Sequence, residues 1–216
     1  MKDFEIVIEG QKLFLHPLKG LFWEEKSLLI IGDLHFGKIQ HFRNSGIGLP
    51  EIAIKKNLEN LILILNYYEP KEVLFLGDLF HSRYNQEWEA FSIVIARFNS
   101  IKFTLLIGNH DTLESSIYEK ANIKIVDDFL AIEPFIFTHE PQEIKLDLFQ
   151  ISGHIHPGVK LSGKGVGAII IPCFYIQKRQ AILPAFGYFT GLYRIKPKKG
   201  DLIYGIVNQE ILEIKP

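Results

Sequence analysis

The run Ser27-Leu28-Leu29-Ile30-Ile31-Gly32-Asp33-Leu34-His35 is a short apolar strand that stops at a glycine and then carries an acid and an imidazole two residues apart. The same grammar returns at Val73-Leu74-Phe75-Leu76-Gly77-Asp78 and at Thr104-Leu105-Leu106-Ile107-Gly108-Asn109-His110-Asp111. Between them lie helical patterns. Ile54, Leu58, Leu61 and Leu65 recur at steps of three and four behind Pro50, which suits a first helical turn. A second helix is expected over residues 86–98.

Before residue 28 the chain reads as short strands and turns: Phe4, Ile6 and Ile8 alternate with polar neighbours, and Gly10-Gln11 suits a hairpin. After residue 111 the pattern is rich in strands, at 135–137, 148–151, 168–171, 181–183 and 202–207. Strand and helix thus alternate first and strands follow. No repeat, low-complexity tract or linker-like shift in composition interrupts the chain. The reading is one α/β domain over residues 1–216, two sheets face to face with helices outside.

Composition narrows the function. A hydrophobic share of 47% excludes a disordered chain, and a formal charge of −1 gives no global field to hold a polyanion. Any nucleic-acid contact must therefore be local. The basic run Lys196-Pro197-Lys198-Lys199 reads as a solvated turn. Cys173 is the single cysteine and lies in an apolar run, so it reads as a small buried hydrophobe. Acids near the N-terminus do not suit a signal peptide, and no stretch approaches the roughly 18 apolar residues of a membrane span. A soluble, cytoplasmic protein is the expectation.

Five polar clusters follow strand-like runs: Asp33-Leu34-His35, Asp78, Asn109-His110-Asp111, His139-Glu140-Pro141 and His154-Ile155-His156. Strands ending side by side would gather them, because sites in α/β sheets lie beyond the carboxyl ends of strands. Oxygen and imidazole ligands without sulfur suit Mn, Fe or Zn. Asp33-x-His35 and His154-x-His156 are read as extended segments that place alternate side chains on one side. Glycines before most of the clusters would allow tight turns and close approach of backbone to a ligand. Two cations roughly 3.5–4 Å apart could clamp a phosphate and lower the pKa of a bound water.

The order Asp-x-His, Gly-Asp, Gly-Asn-His-Asp, His, Gly-His-x-His resembles the calcineurin-like metallophosphoesterase superfamily over nearly the whole chain. The resemblance implies a four-layer αββα sandwich and a dinuclear site. One metal would take Asp33, His35, Asp78 and His156; the other would take Asp78, Asn109, His139 and His154, with Asp78 bridging. It further implies that hydroxide generated at the metals attacks phosphorus in line. His110 would give a proton to the leaving group, and Asp111 would hold its ring. A narrower likeness rests on Phe36-Gly37-Lys38, His41-Phe42-Arg43, Leu79-Phe80-His81-Ser82, Pro157, and Leu183-Pro184-Ala185-Phe186-Gly187 with Thr190-Gly191. These are similar to the ligase-associated DNA damage response endonucleases. That family implies DNA as substrate, endonuclease or end-processing activity, and association with an ATP-dependent DNA ligase and a helicase.

Arg43 and His81 are candidate phosphate contacts, and Lys38, His41 and Arg83 lie in similar positions. His16 stands apart from every cluster. Trp23, Trp88 and the phenylalanines read as core rather than as base-stacking surfaces. Two other readings stay open: a phosphatase or cyclic-nucleotide or small-molecule phosphodiesterase with the same site, and a non-catalytic scaffold on this fold.

Overall fold

The computed structural model describes residues 2–38, 52–143, 145–163 and 166–215. The first sheet has seven strands in chain order: β1 (Phe4–Ile8), β2 (Gln11–Leu15), β3 (Leu21–Trp23), β4 (Leu28–Ile31), β5 (Glu72–Leu76), β6 (Lys102–Leu106) and β7 (Ile123–Val126). β1 to β4 pair antiparallel and β4 to β7 pair parallel. Parallel neighbours need crossovers. Helices α1 (Ile52–Tyr68), α2 (Gln86–Arg97) and α3 (Ser115–Lys120) supply them. Asn85 caps α2, its side chain accepting from the backbone N–H groups of Glu87 and Trp88.

The second sheet holds β8 (Phe129–Ile132), β9 (Phe135–Thr138), β10 (Phe149–Ser152), β11 (Pro157–Gly163), β12 (Val166–Ile176), β13 (Gln180–Ile182), β14 (Tyr193–Arg194), β15 (Leu202–Val207) and β16 (Glu210–Ile214). β9, β10 and β13 run parallel at its centre. β12 is longer than the apolar run at 168–171 suggests, because it continues through Pro172. That residue, which has no N–H, lies where β12 exchanges its partner β11 for β13 and β15.

Side-chain alternation sorts these strands into layers. Leu28, Ile30, Leu74 and Leu76 face Phe135, Phe137, Ile151, Phe174 and Leu183 in a core between the sheets. Their neighbours Leu29, Ile31, Val73 and Phe75 face the helices, against Leu61, Leu65, Phe91 and Ile95. On the far side of the second sheet, Cys173, Tyr175, Ile182 and Ile203 form a third cluster. Two mixed sheets with helices outside is the expected α/β sandwich, and the described helices all pack on the first sheet. Trp23, Trp88 and most of the described phenylalanines are core, and Cys173 is fully buried. Phe189 is not core: with Tyr188 and Tyr193 it faces solvent. His16 is buried between Tyr67 and Tyr68, where burial lowers its pKa to about 4, away from the clustered histidines.

Phe135 is fully buried and meets the edge of Trp23 across the two sheets at 4.8 Å. Phe135→Ala should cost about 3–5 kcal/mol of unfolding free energy in urea. Ile169→Ala, at a residue 54% exposed, should stay within about 0.5 kcal/mol of the parent.

Candidate metal centre

The five clusters converge. Asp33 and His35 follow β4, Asp78 follows β5, Asn109 to Asp111 follow β6, His139 follows β9, and His154 and His156 follow β10. All lie at carboxyl ends of parallel strands, three in one sheet and two in the other. Two groups of ligand atoms result: Asp33, His35 and His156; and Asp78, His139 and His154.

In the first group His156 Nε2 is 3.2 Å from His35 Nε2 and 3.4 Å from Asp33 Oδ1. In the second, His139 Nε2 is 3.0 Å from Asn109 Oδ1, 3.1 Å from His154 Nδ1 and 3.4 Å from Asp78 Oδ1. The other oxygen of Asp78, Oδ2, is 3.7 Å from His35 Nε2. One carboxylate therefore offers an oxygen to each group.

The donor chemistry fits cations better than hydrogen bonds. His139 Nδ1–H donates to the Leu76 carbonyl at 2.8 Å, and His156 Nδ1–H to the Gly191 carbonyl at 3.2 Å. With the proton placed there, each neutral ring aims the Nε2 lone pair at carboxylate oxygens. Lone pairs facing one another repel unless a cation sits among them. Asp33 Oδ1 is also buried without a hydrogen bond. Ligands about 2.1 Å from an ion and at right or tetrahedral angles lie about 3.0–3.4 Å apart, as several of these pairs do. Burial, and next the positive charge of Lys38, lowers the His35 pKa to about 2, which keeps its ring in the neutral, ligating form.

Backbone shape differs from the extended reading. Asp33, His35, Asp78, His154 and His156 all have φ between 50° and 64°. Such left-handed values are uncommon outside glycine and gather at functional sites. The Asp-x-His and His-x-His segments are therefore coiled, and each carboxylate is steadied by a backbone N–H. His154 N donates to Asp33 Oδ2 at 2.8 Å and His110 N to Asp78 Oδ1 at 2.9 Å. The glycines serve mainly as space. A Cβ on Gly153 would lie 2.5 Å from Asp33 Oδ2, and one on Gly108 would lie 2.5 Å from Asp78 Oδ1. One on Gly77 would strike His139 Nδ1.

Asp111 requires a correction. Its Oδ2 accepts from Gly108 N at 2.9 Å, and its Oδ1 from Phe80 N at 3.0 Å and Tyr118 Oη at 3.5 Å. Among the described residues it makes no hydrogen bond to the His110 ring. Asp111 ties the loop bearing His110 to the loop after Asp78, and burial raises its pKa to about 6. The His110 ring instead stacks on His81, with centroids 3.8 Å apart, and both rings neighbour His35. Lys38 is half-buried, and the charges of Asp33 and Asp78 reach it although burial lowers its pKa overall. Arg83 is exposed. His41 and Arg43 lie outside the described residues.

A cleft of about 320 Å³ adjoins the second group, lined by Asn109, Asp127, Asp128, His139, Glu140 and His154. Asp127 and Asp128 are absent from the sequence reading. Their signal is present, since Ile123-Lys124-Ile125-Val126 ends at Asp127-Asp128 just as the neighbouring strands end at their ligands. The alternating lysine disguises it.

Residues 26–144, just over half of the chain, match the family model described as calcineurin-like phosphoesterase. Among solved structures, the chain is similar to the nuclease MPE of Pseudomonas putida, at 26% identity and a TM-score of 0.82. The alignment covers 99% of this chain and 100% of the nuclease. Protein AQ665 of Aquifex aeolicus, of unknown function, aligns at 18% identity and a TM-score of 0.45 over 60% of this chain and 78% of its own. A comparison with curated protein sequences gives no match.

Binding of a cation to the folded state alone should stabilise it. Protein stripped with chelator and returned to Mn²⁺ at 100 times its dissociation constant should gain about 2.7 kcal/mol per site. For a chain of this length that corresponds to a rise in Tm of roughly 5–10 °C. Gly153→Ala, which displaces Asp33, should reduce the rise while leaving the stripped protein folded; scanning calorimetry reads both.

Proposed function

Because the chain belongs to the calcineurin-like phosphoesterase family, and so is a metal-dependent phosphoester hydrolase, we propose that it is a two-metal phosphodiesterase acting on DNA. The observation that carries this reading is Asp78, whose two oxygens lie 3.4 Å from His139 and 3.7 Å from His35, between the two ligand groups. Asp33, His35, Asp78 and His156 hold one divalent cation, and Asp78, Asn109, His139 and His154 hold the other. Mn is the first choice for both, with Fe or Zn compatible with the same donors. Such a pair supplies charge that holds phosphoryl oxygens and makes water acidic enough to ionise near neutral pH.

The chain's own groups do the rest. The His110 ring gives a proton to the departing sugar oxygen. His81, stacked on it, limits its rotation, and Asp111 fixes the height of its loop. Lys38 and His81 offer contacts to the phosphate on this side of the centre, and Arg43 belongs to the same reading. DNA as substrate is supported by the likeness to a nuclease over essentially the full length of both chains. A cytoplasmic role in DNA end processing, beside a ligase and a helicase, completes the proposal. No described helix is long and apolar enough to cross a membrane.

Asp78→Asn should lower the occupancy of both cations after dialysis, whereas His35→Ala should empty mainly one; elemental analysis decides. Full occupancy in Asp78→Asn would remove the bridging role. His110→Asn should retain its metals and lose about 10²–10⁴-fold in kcat on a nucleotide diester, whose alkoxide needs a proton to leave. The loss should be far smaller on bis(4-nitrophenyl) phosphate, whose leaving group is a weak base. Turnover of that ester with no cleavage of DNA in Mn²⁺ would assign the centre to small phosphodiesters instead.

A further inference from the structure

The segment from Pro184 to Tyr193 carries no charged residue, yet it borders the centre and is fastened to it at both ends. Phe186 N donates to Gly32 O at 2.9 Å, and Gly187 N to Asp33 O at 3.0 Å. Tyr188 N donates to Asn57 Oδ1 at 2.8 Å, and Thr190 Oγ1 to Gly187 O at 3.2 Å. At the far end Gly191 O accepts from His156 Nδ1, and Tyr193 N donates to His156 O at 2.9 Å. A strap tied to Asp33 and to His156 is held in register with both. On this strap Tyr188, Phe189 and Tyr193 are 59%, 43% and 64% exposed. Leu192 and Ile170 extend the apolar surface and flank Gly158, where a Cβ would meet both side chains.

We infer that this strap is a shelf on which the base of the nucleotide beside the scissile phosphate stacks. The inference rests on the proposed action on nucleic acid and adds where the strand lies. Charge decides the side. Across the centre Asp127, Asp128 and Glu140 line the cleft next to His139 and His154, and three carboxylates repel a polyanion. The strap presents no acid, and its rings offer π-faces that any base can stack on. Its fastening means that little order is lost when a base settles there.

The test uses the full-length, Mn²⁺-loaded protein and a short single-stranded oligonucleotide with one cleavage site, made also with an abasic residue on either side of that site. Tyr188→Ser, Phe189→Ser and Tyr193→Ser are made singly, and thermal melting checks their fold. For the parent protein, one of the abasic oligonucleotides should raise KM roughly 5- to 100-fold, the range expected for one stacked base. At least one serine variant should raise KM on the intact oligonucleotide by a similar factor and add almost nothing on that abasic one. Unchanged KM in all three variants, or losses that simply multiply with the abasic loss, would overturn the shelf. So would variants that break an assembly of two copies in sedimentation while KM stays the same, since the surface would then serve self-association. A parent protein that turns over bis(4-nitrophenyl) phosphate but cleaves no oligonucleotide would overturn the nucleic-acid reading itself, and the shelf with it.

Discussion

Two buried carboxylates, Asp33 and Asp78, stand in one place with four imidazoles, and among the described residues no lysine or arginine is paired to either at hydrogen-bond distance. Burying charge in this way is costly unless something positive is brought to it. Much of the local structure answers that constraint. Backbone N–H groups of His154 and His110 point at the carboxylates. Carbonyls of Leu76 and Gly191 draw the imidazole protons to the outer nitrogens, so that lone pairs face inward. Left-handed backbone at five candidate ligands turns the side chains toward a common point. Each device suits a cation at that point, and together they make the site a receptor formed by the fold.

The strands that deliver these groups were legible because burial on both faces writes them as unbroken apolar runs. Leu28–Ile31 and Glu72–Leu76 lie within a residue or two of their expected places. Where a strand is exposed on one side or interrupted, the signal fades. β11 begins at Pro157-Gly158, and β12 runs through Pro172, residue types that ordinarily mark an end. The gathering of Asp33, His35 and His156, and of Asp78, His139 and His154, was legible as well, since the residue types are few and their order is informative.

What sequence could not convey was orientation. An Asp-x-His step looks the same whether the segment is extended or coiled, and only the φ values separate the two. Asp111 sits beside His110 in the chain, which suggests a contact between their side chains. The neighbouring loops compete for that carboxylate with two backbone N–H groups, and they win it. Phe189 belongs to the phenylalanines that read as core, yet with Tyr188 and Tyr193 it faces solvent.

The division of the ligands between the two sheets bears on how the protein acquires its metals. Asp33, His35 and Asp78 come from the first sheet, while His139, His154 and His156 come from the second, and each group draws on both. During synthesis the first half emerges with fragments of two coordination spheres and cannot close either. Only after the second sheet has docked does a receptor exist. Loading would then be a late event, governed by the spacing of a finished scaffold rather than by whichever ion a loose chain would chelate most tightly. The metal taken up would then be set by what is available to the folded molecule.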